Sequence, residues 1–116
     1  MLTKKKKLLF ICTENLQRSP TAEELVNTSP KFKDYTARSA GTSITAVSQI
    51  TKTLIEWSDI IFVFNEKYEK HKTILLKKFP NLKKKIIDLD IPDRYYRNDP
   101  ELIKILKIKL KKYLLD

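Results

Sequence analysis

Short apolar runs that alternate with helical patterns limit the possible folds of this chain more than any other feature of its sequence. The clearest run is DIIFVF, Asp59 to Phe64, whose continuous apolar composition predicts a strand buried on both faces. Further strands are predicted at residues 5–12, 35–40 and 86–91. Because helical patterns separate these runs, the sequence predicts an α/β fold with three layers and a small parallel sheet of about four strands.

Four helices are predicted between and after the strands. They cover Pro20 to Asn27, a segment capped by Ser48 that runs through Trp57, a segment capped by Asn65 that ends before Pro80, and a segment from Pro100 to about Leu115 with Asp99 as its cap. His71 falls in the middle of the third helix among lysines, so it is expected to be solvated.

Composition narrows the class of protein. A length of 116 residues predicts one domain, residues 1–116, with one modest core. The longest apolar runs are too short to cross a bilayer, and the apolar stretch after the first lysines is too short for a signal peptide. With a single cysteine and therefore no internal disulfide, the expectation is a cytoplasmic protein without a membrane partner.

The net charge of +10 leaves a nucleic-acid partner open. Heavy use of lysine and isoleucine throughout the chain explains the charge at least as well. Neither zinc-ligand spacing nor an RNA-binding aromatic motif is found. The charge therefore predicts only a weak preference for anionic substrates.

The stretch FICTENLQRSPTAEEL carries the candidate chemistry. Cys12 ends the first predicted strand, and Arg18 precedes the first predicted helix. A helix N-terminus and a guanidinium both favour the thiolate over the thiol and both bind phosphate oxygens. The segment from Cys12 to Arg18, called here the Cys12–Arg18 loop, therefore predicts a nucleophile at the base of an oxyanion site.

This loop, CTENLQRSPTAE, resembles the Cys-x-Gly-Asn-x-Cys-Arg-Ser-Pro loop of the low-molecular-weight protein-tyrosine phosphatases. The chain is most similar to a short bacterial branch described as predicted tyrosine phosphatases, through RSAG at 38–41, EWSDIIFV at 56–63, and LDIPD and DPEL near the end. The resemblance implies a hydrolase that needs no metal or cofactor. Its substrate would be a phosphotyrosine protein or a small aryl phosphate.

The resemblance also implies roles for individual residues. Cys12 would be the nucleophile, Arg18 the phosphate clamp, and Ser19 the donor that assists departure of the thiolate. Asn15 would support the loop through Ser39. The phosphate would bind along the loop residues, which are Thr13, Glu14, Asn15, Leu16, Gln17 and Arg18.

In the same resemblance, Asp93 of IPDRYYRND falls where the family has its general acid. Tyr95 and Tyr96 would flank the mouth of the pocket. Asp90 is the alternative acid, although it is predicted to lie within the fourth strand. The sequence leaves this choice open.

Several positions depart from the family pattern. Glu14 replaces the loop glycine, so its carboxylate must point away from phosphate. Gln17 replaces the second loop cysteine, and Arg94 replaces a proline. About one helix of the longer members is absent between Ser43 and Ser48, which removes part of the pocket rim.

Three alternatives to a tyrosine phosphatase follow. One is a phosphatase that acts on nucleotide or nucleic-acid phosphate ends, which the charge and the reduced rim would suit. Another is a non-catalytic phosphate-binding module, suggested by Glu14. The third is an arsenate reductase, but an internal thiol relay needs more cysteines than Cys12 alone.

Overall fold

Four parallel strands form the sheet at the centre of the fold. The computed structural model describes residues 4–115, and its strands are β1 (Lys6–Cys12), β2 (Tyr35–Gly41), β3 (Ile60–Val63) and β4 (Lys85–Asp88). They lie in the order β2-β1-β3-β4. Leu8 of β1 is opposite Ala37 of β2 on one side and Ile60 of β3 on the other. The predicted α/β class with a four-stranded parallel sheet is confirmed.

The strand order changes direction at β1, and ligands bind at such points in open parallel sheets. From β1 the chain crosses to β2 on one side, whereas β3 and β4 are added on the other side. Cys12 is the last residue of β1. Its side chain therefore lies at the carboxyl edge of the sheet, beside the point of reversal.

Helices cover both faces of the sheet. They are α1 (Arg18–Thr28), α2 (Lys52–Trp57), α3 (Glu66–Glu69), α4 (His71–Lys78) and α5 (Pro100–Leu114), and Pro30–Phe32 adds one 3₁₀ turn. Leu8 and Phe10 pack in one core cluster with α1 and α5. The alternate residues Leu9 and Ile11 pack in a second cluster with α2 and α4. The apolar run of β1 is continuous because both of its faces are buried.

The second helix begins later than predicted. Its cap is Thr51, whose side chain accepts from the Leu54 N–H at 3.1 Å. The prediction of a cap at Ser48 is wrong, because the segment around that residue pairs with the end of β2 instead. The Ser48 carbonyl accepts from the Gly41 N–H at 2.7 Å, and the Ile50 N–H donates to Gly41 at 3.2 Å.

The predicted third helix is two helices. Asn65 caps α3 as predicted, since its side chain accepts from the Tyr68 N–H at 2.7 Å. Lys70 then adopts a left-handed conformation with φ 57°, and α4 starts at His71. The change of direction at Lys70 turns His71 toward the sheet.

The fourth strand is shorter than predicted, and the last helix is as predicted. β4 ends at Asp88, and Asp90 has φ 53°, so the prediction that Asp90 lies within the strand is wrong. Asp99 caps α5 by accepting from the Glu101 N–H at 2.9 Å. Within residues 4–115, every helix is too short or too polar to cross a membrane.

Candidate active site

A cavity of about 460 Å³ opens at the carboxyl edge of the sheet, above the end of β1. At this place β1 is followed by the Cys12–Arg18 loop, and the loop leads into α1. Its lining residues are Cys12, Thr13, Glu14, Leu16, Gln17, Arg18, Glu69 and Asp93. Most of the loop predicted from the sequence therefore surrounds one cavity.

Backbone N–H groups of this loop are available to a ligand. Among residues 4–115, the N–H groups of Glu14, Leu16, Gln17 and Arg18 have no backbone acceptor. The first turn of α1 adds the positive end of a helix dipole. A loop of free N–H groups that leads into a helix N-terminus favours binding of an anion such as phosphate.

The Cys12 thiol is buried and touches one hydroxyl. Its side chain is 3% exposed, and Sγ lies 2.9 Å from Ser19 Oγ. Ser19 Oγ also accepts from Asn15 Nδ2 at 2.9 Å, so the single hydroxyl proton is free to point at sulfur. This contact places a hydrogen-bond donor against the sulfur atom of Cys12.

Asn15 shapes the loop. It has φ 57°, a left-handed conformation that asparagine tolerates better than most residues. Its amide donates to Ser39 Oγ at 2.9 Å, the contact that the family resemblance implies, and Ser39 in turn donates to Glu23 Oε1 at 2.7 Å. Asn15 thus joins the loop to β2 and α1.

Glu14 points away from the thiol, as it must if phosphate is to bind. Its carboxylate accepts from Thr45 Oγ1 at 2.7 and 3.0 Å. Hydrogen bonds from Ser43 and Thr45 hold the pKa of Glu14 below its usual value. The end of β2 approaches the Cys12–Arg18 loop closely at Gly41, where a Cβ would lie 2.5 Å from the Thr13 carbonyl oxygen.

Arg18 is buried and paired with a carboxylate that the sequence analysis did not identify. Its side chain is 2% exposed. Nη1 donates to Glu69 Oε2 at 2.7 Å and Nη2 donates to Glu69 Oε1 at 2.6 Å. Nη1 also donates to the Ile91 carbonyl at 3.0 Å. Within residues 4–115, Nε has no hydrogen-bond partner.

A chain of hydrogen bonds fixes Glu69. Backbone N–H groups of Phe64 and Asn65 donate to His71 Nδ1 at 3.3 and 3.0 Å, so Nε2 carries the proton of the neutral ring. His71 Nε2 then donates to Thr13 Oγ1 at 2.8 Å, and Thr13 Oγ1 donates to Glu69 Oε1 at 2.7 Å. Burial opposes ionisation of Glu69, but hydrogen bonds from Arg18 and Thr13 outweigh it and lower its pKa.

The prediction that His71 is solvated is wrong, because its ring is fully buried. It followed from assuming one continuous helix, and the break at Lys70 changes the face on which the ring lies. Glu69 was missed for the same reason. The position of Glu69 in the sequence could have identified it, because Glu69 follows β3 at the carboxyl edge of the sheet, where Cys12 also lies.

Asp93 lies at the mouth of the cavity. Its side chain is 62% exposed, and Oδ1 is 3.7 Å from Arg18 Nη2. Asp90 is not among the residues that line the cavity. Neither tyrosine lines the cavity either: Tyr95 packs into the core cluster below, and Tyr96 is exposed.

The segment that carries Asp93 is fastened to the start of α1. Gln17 Oε1 accepts from the Arg97 N–H, and Thr21 Oγ1 accepts from the Asn98 N–H at 2.9 Å. Gln17, which replaces a cysteine of the family pattern, therefore has a contact of its own. It ties the segment after β4 to the Cys12–Arg18 loop.

The fold of this chain is similar to that of solved protein tyrosine phosphatases. The model of the family "Low molecular weight phosphotyrosine protein phosphatase" matches residues 7–58. No match is found among curated proteins.

Solved structures of tyrosine and arginine phosphatases share the fold over nearly the whole chain. The tyrosine phosphatase SP-PTP of Streptococcus pyogenes is 22% identical with a TM-score of 0.76, covering 95% of this chain and 91% of that one. VcLMWPTP-2 of Vibrio cholerae O395 is 22% identical with a TM-score of 0.73, covering 96% and 97%. The YwlE arginine phosphatase of Geobacillus stearothermophilus is 23% identical with a TM-score of 0.70, covering 95% and 93%. The resemblance to this family is confirmed, and the fold is theirs.

Proposed function

We propose that this chain is a cysteine-dependent phosphate monoester hydrolase of the protein-tyrosine phosphatase type, with residues 1–116 acting as one phosphatase-like domain. The observation that carries the proposal is the contact of Cys12 Sγ with Ser19 Oγ at 2.9 Å in the cavity that Arg18 also lines. A buried thiol beside a free hydroxyl proton and a buried guanidinium is suited to attack on a phosphate. The single cysteine is consistent with a reducing, cytoplasmic location.

In the first step, the Cys12 thiolate attacks phosphorus, the S–P bond forms and the bond to the leaving oxygen breaks. Asp93 donates a proton to the leaving oxygen. The guanidinium of Arg18 and the loop N–H groups hold the equatorial oxygens. In the second step, Asp93 takes a proton from water, which attacks phosphorus and releases inorganic phosphate and the thiolate.

The hydroxyl of Ser19 serves both steps. It stabilises the thiolate before attack, and it stabilises the same thiolate when sulfur departs from phosphorus. Asn15 and Ser39 hold the loop in the conformation that both steps need. Tyr96, which is exposed beside this edge, is the better candidate for contact with an aromatic leaving group, since Tyr95 is buried in the core.

Replacing the nucleophile tests the proposal. We expect Cys12→Ser to lose hydrolysis of p-nitrophenyl phosphate and phosphotyrosine peptides while it still binds inorganic phosphate, measured by calorimetry. The reason is that serine keeps the loop but is not ionised at neutral pH. Ser19→Ala is the matched control, in which slowed but measurable turnover is expected. Full activity of Cys12→Ser would exclude a phosphocysteine intermediate.

Hydrolysis of phosphoarginine is a second candidate function. The exposed carboxylate of Asp93 lies at the mouth of the cavity, and a cationic guanidinium leaving group would be attracted to it. An arginine phosphatase is among the proteins that share the fold. These substrates are distinguished by measuring kcat/KM for a phosphotyrosine peptide, a matched phosphoarginine peptide and a 5′-phosphorylated oligonucleotide. A higher kcat/KM for the phosphoarginine peptide would favour the second candidate.

A further inference from the structure

The hydrogen bonds of Arg18 are distributed unevenly over its guanidinium. Glu69 takes the end that is formed by Nη1 and Nη2, with distances of 2.7 and 2.6 Å. The second Nη1 proton goes to the Ile91 carbonyl at 3.0 Å. What remains is the side edge formed by Nε and Nη2. Asp93 Oδ1 lies 3.7 Å from Nη2, which belongs to that edge.

The unused edge is unusual because the side chain is almost completely buried. Arg18 is 2% exposed, and within residues 4–115 its Nε has no partner. A buried donor without a partner costs free energy, which is offset when a ligand supplies an acceptor. A guanidinium edge matches two oxygens of a phosphate. The cavity that Arg18 lines supplies the space for those oxygens.

We propose that Glu69 is a positioning residue that holds Arg18 by its Nη1–Nη2 end, so that the Nε–Nη2 edge faces the phosphate of the substrate. The inference rests on the proposed function. Glu69 and phosphate then occupy different edges of one guanidinium at the same time. The contacts of Thr13 with Glu69 and with His71 fix the carboxylate against the loop.

The alternative arrangement makes Glu69 an internal competitor that leaves when phosphate binds. The two arrangements predict opposite changes in turnover when the charge of Glu69 is removed. A competitor blocks the site, so neutralising it raises kcat/KM. A positioning residue orients the guanidinium in the transition state, so neutralising it lowers kcat, even though the loss of a negative charge by itself favours phosphate binding.

Steady-state kinetics of Glu69→Gln with p-nitrophenyl phosphate test the sign. We expect kcat to fall by about a hundredfold, the typical cost of a misplaced catalytic group, with KM unchanged or lower. Glu66→Gln is the matched control, because Glu66 lies three residues earlier in the same helix and bonds to Thr73, outside the cavity. It should keep the wild-type kcat. A rise in kcat/KM of Glu69→Gln would overturn the proposal.

A double-mutant cycle tests whether Glu69 acts through Arg18. Lysine has no planar edge to orient, so in an Arg18→Lys background Glu69→Gln should cost less than about threefold. An equal hundredfold loss in both backgrounds would show that Glu69 acts on the fold in general, and this would also overturn the proposal.

Nuclear magnetic resonance of the arginine Nε–H groups needs no variant that could misfold. Adding inorganic phosphate to the wild-type chain should shift the Arg18 Nε–H signal, and an unchanged signal on saturation with phosphate would contradict the proposal. If the wild type shows no turnover, the proposed function is wrong, and this measurement alone decides how Arg18 is held. If the wild type is active and Glu69→Gln equals it, only the present inference is wrong.

Discussion

His71 is held neutral by its surroundings. Its Nδ1 accepts from two backbone N–H groups, which leaves no room for a proton on that atom. Burial lowers the pKa of His71, and the nearby Glu69 carboxylate only partly opposes this. A protonated ring would lose both backbone contacts, because Nδ1 would then be a donor. One residue thus links the end of β3 to the orientation of Arg18.

This arrangement predicts a pH dependence of stability. Because the folded pKa of His71 lies below its unfolded value of 6.5, the unfolded chain binds the proton first as pH falls. The stabilising contribution is therefore complete above that value and declines as pH falls through it. Between pH 7 and pH 5.5 the free energy of unfolding should decrease by up to about 1 kcal/mol. Carboxyl groups contribute little to this change, because most of them are ionised in the unfolded chain throughout this pH range.

Urea unfolding at a series of pH values measures this decrease. His71→Gln is the control, because glutamine does not titrate and His71 is the only histidine of the chain. We expect the variant to be less stable at pH 7 and nearly independent of pH in this window. An equal slope in both proteins would assign the dependence to other groups.

Two irregular segments, rather than the strands, decide which side chains meet at the cavity. Lys70 breaks the helix after β3 with φ 57°, a conformation that costs roughly 1–2 kcal/mol for a residue other than glycine. Burial of Leu75 and His71 by the helix that follows offsets this cost. The break places Glu69 and His71 on either side of one residue, both facing the Cys12–Arg18 loop.

The second irregular segment follows β4. Lys109 of α5 donates to the Leu89 carbonyl at 2.5 Å and to that of Asp90 at 3.2 Å, and the Ile91 N–H donates to Phe64 at 2.7 Å. With its far end bonded to Gln17, the segment is attached at both sides of Asp93. Its backbone is therefore held, while the Asp93 side chain stays exposed.

Asp93→Asn tests the assignment of the general acid. We expect hydrolysis of esters with poor leaving groups to slow by roughly 10²–10⁴-fold, because asparagine cannot donate the proton that the leaving oxygen needs. Activated aryl phosphates should be affected less. Asp90→Asn is the matched control, since Asp90 lies three residues away and outside the cavity. If Asp90→Asn shows the leaving-group dependence instead, the assignment moves to Asp90.

The sequence predicts well those parts of the structure that follow from a repeated pattern of apolar residues. The apolar runs predict the four strands, and the loop from Cys12 to Arg18 is found between a strand and a helix. What it does not predict depends on single backbone conformations, such as those of Lys70 and Asp90, which no periodic pattern reports. Glu69 and His71 follow from the first of these. The contact between Asn15 and Ser39 was expected only because a family resemblance pointed to it.

At the scale of the whole molecule, charge acts in two opposite ways. The chain has 24 basic and 14 acidic side chains, with a net charge of +10. Basic residues are concentrated at residues 4–7 and after residue 51, and the net positive charge attracts anions at a distance. Close to Cys12 the balance differs, because Glu69 neutralises Arg18 and Asp93 lies at the mouth. The residues that attract anionic substrates from a distance are therefore different from those that contact the substrate in the cavity.

This separation predicts how salt affects turnover. For a phosphopeptide with acidic flanking residues, kcat/KM should fall by about tenfold between 20 and 300 mM NaCl, because salt screens the attraction that brings it to the protein. Its kcat should not change, since the contacts at Cys12 and Arg18 are short and buried. The same peptide with basic flanking residues is the control, and its kcat/KM should stay constant or rise. An equal fall for both peptides would mean that salt acts on the cavity itself rather than on the field of the molecule.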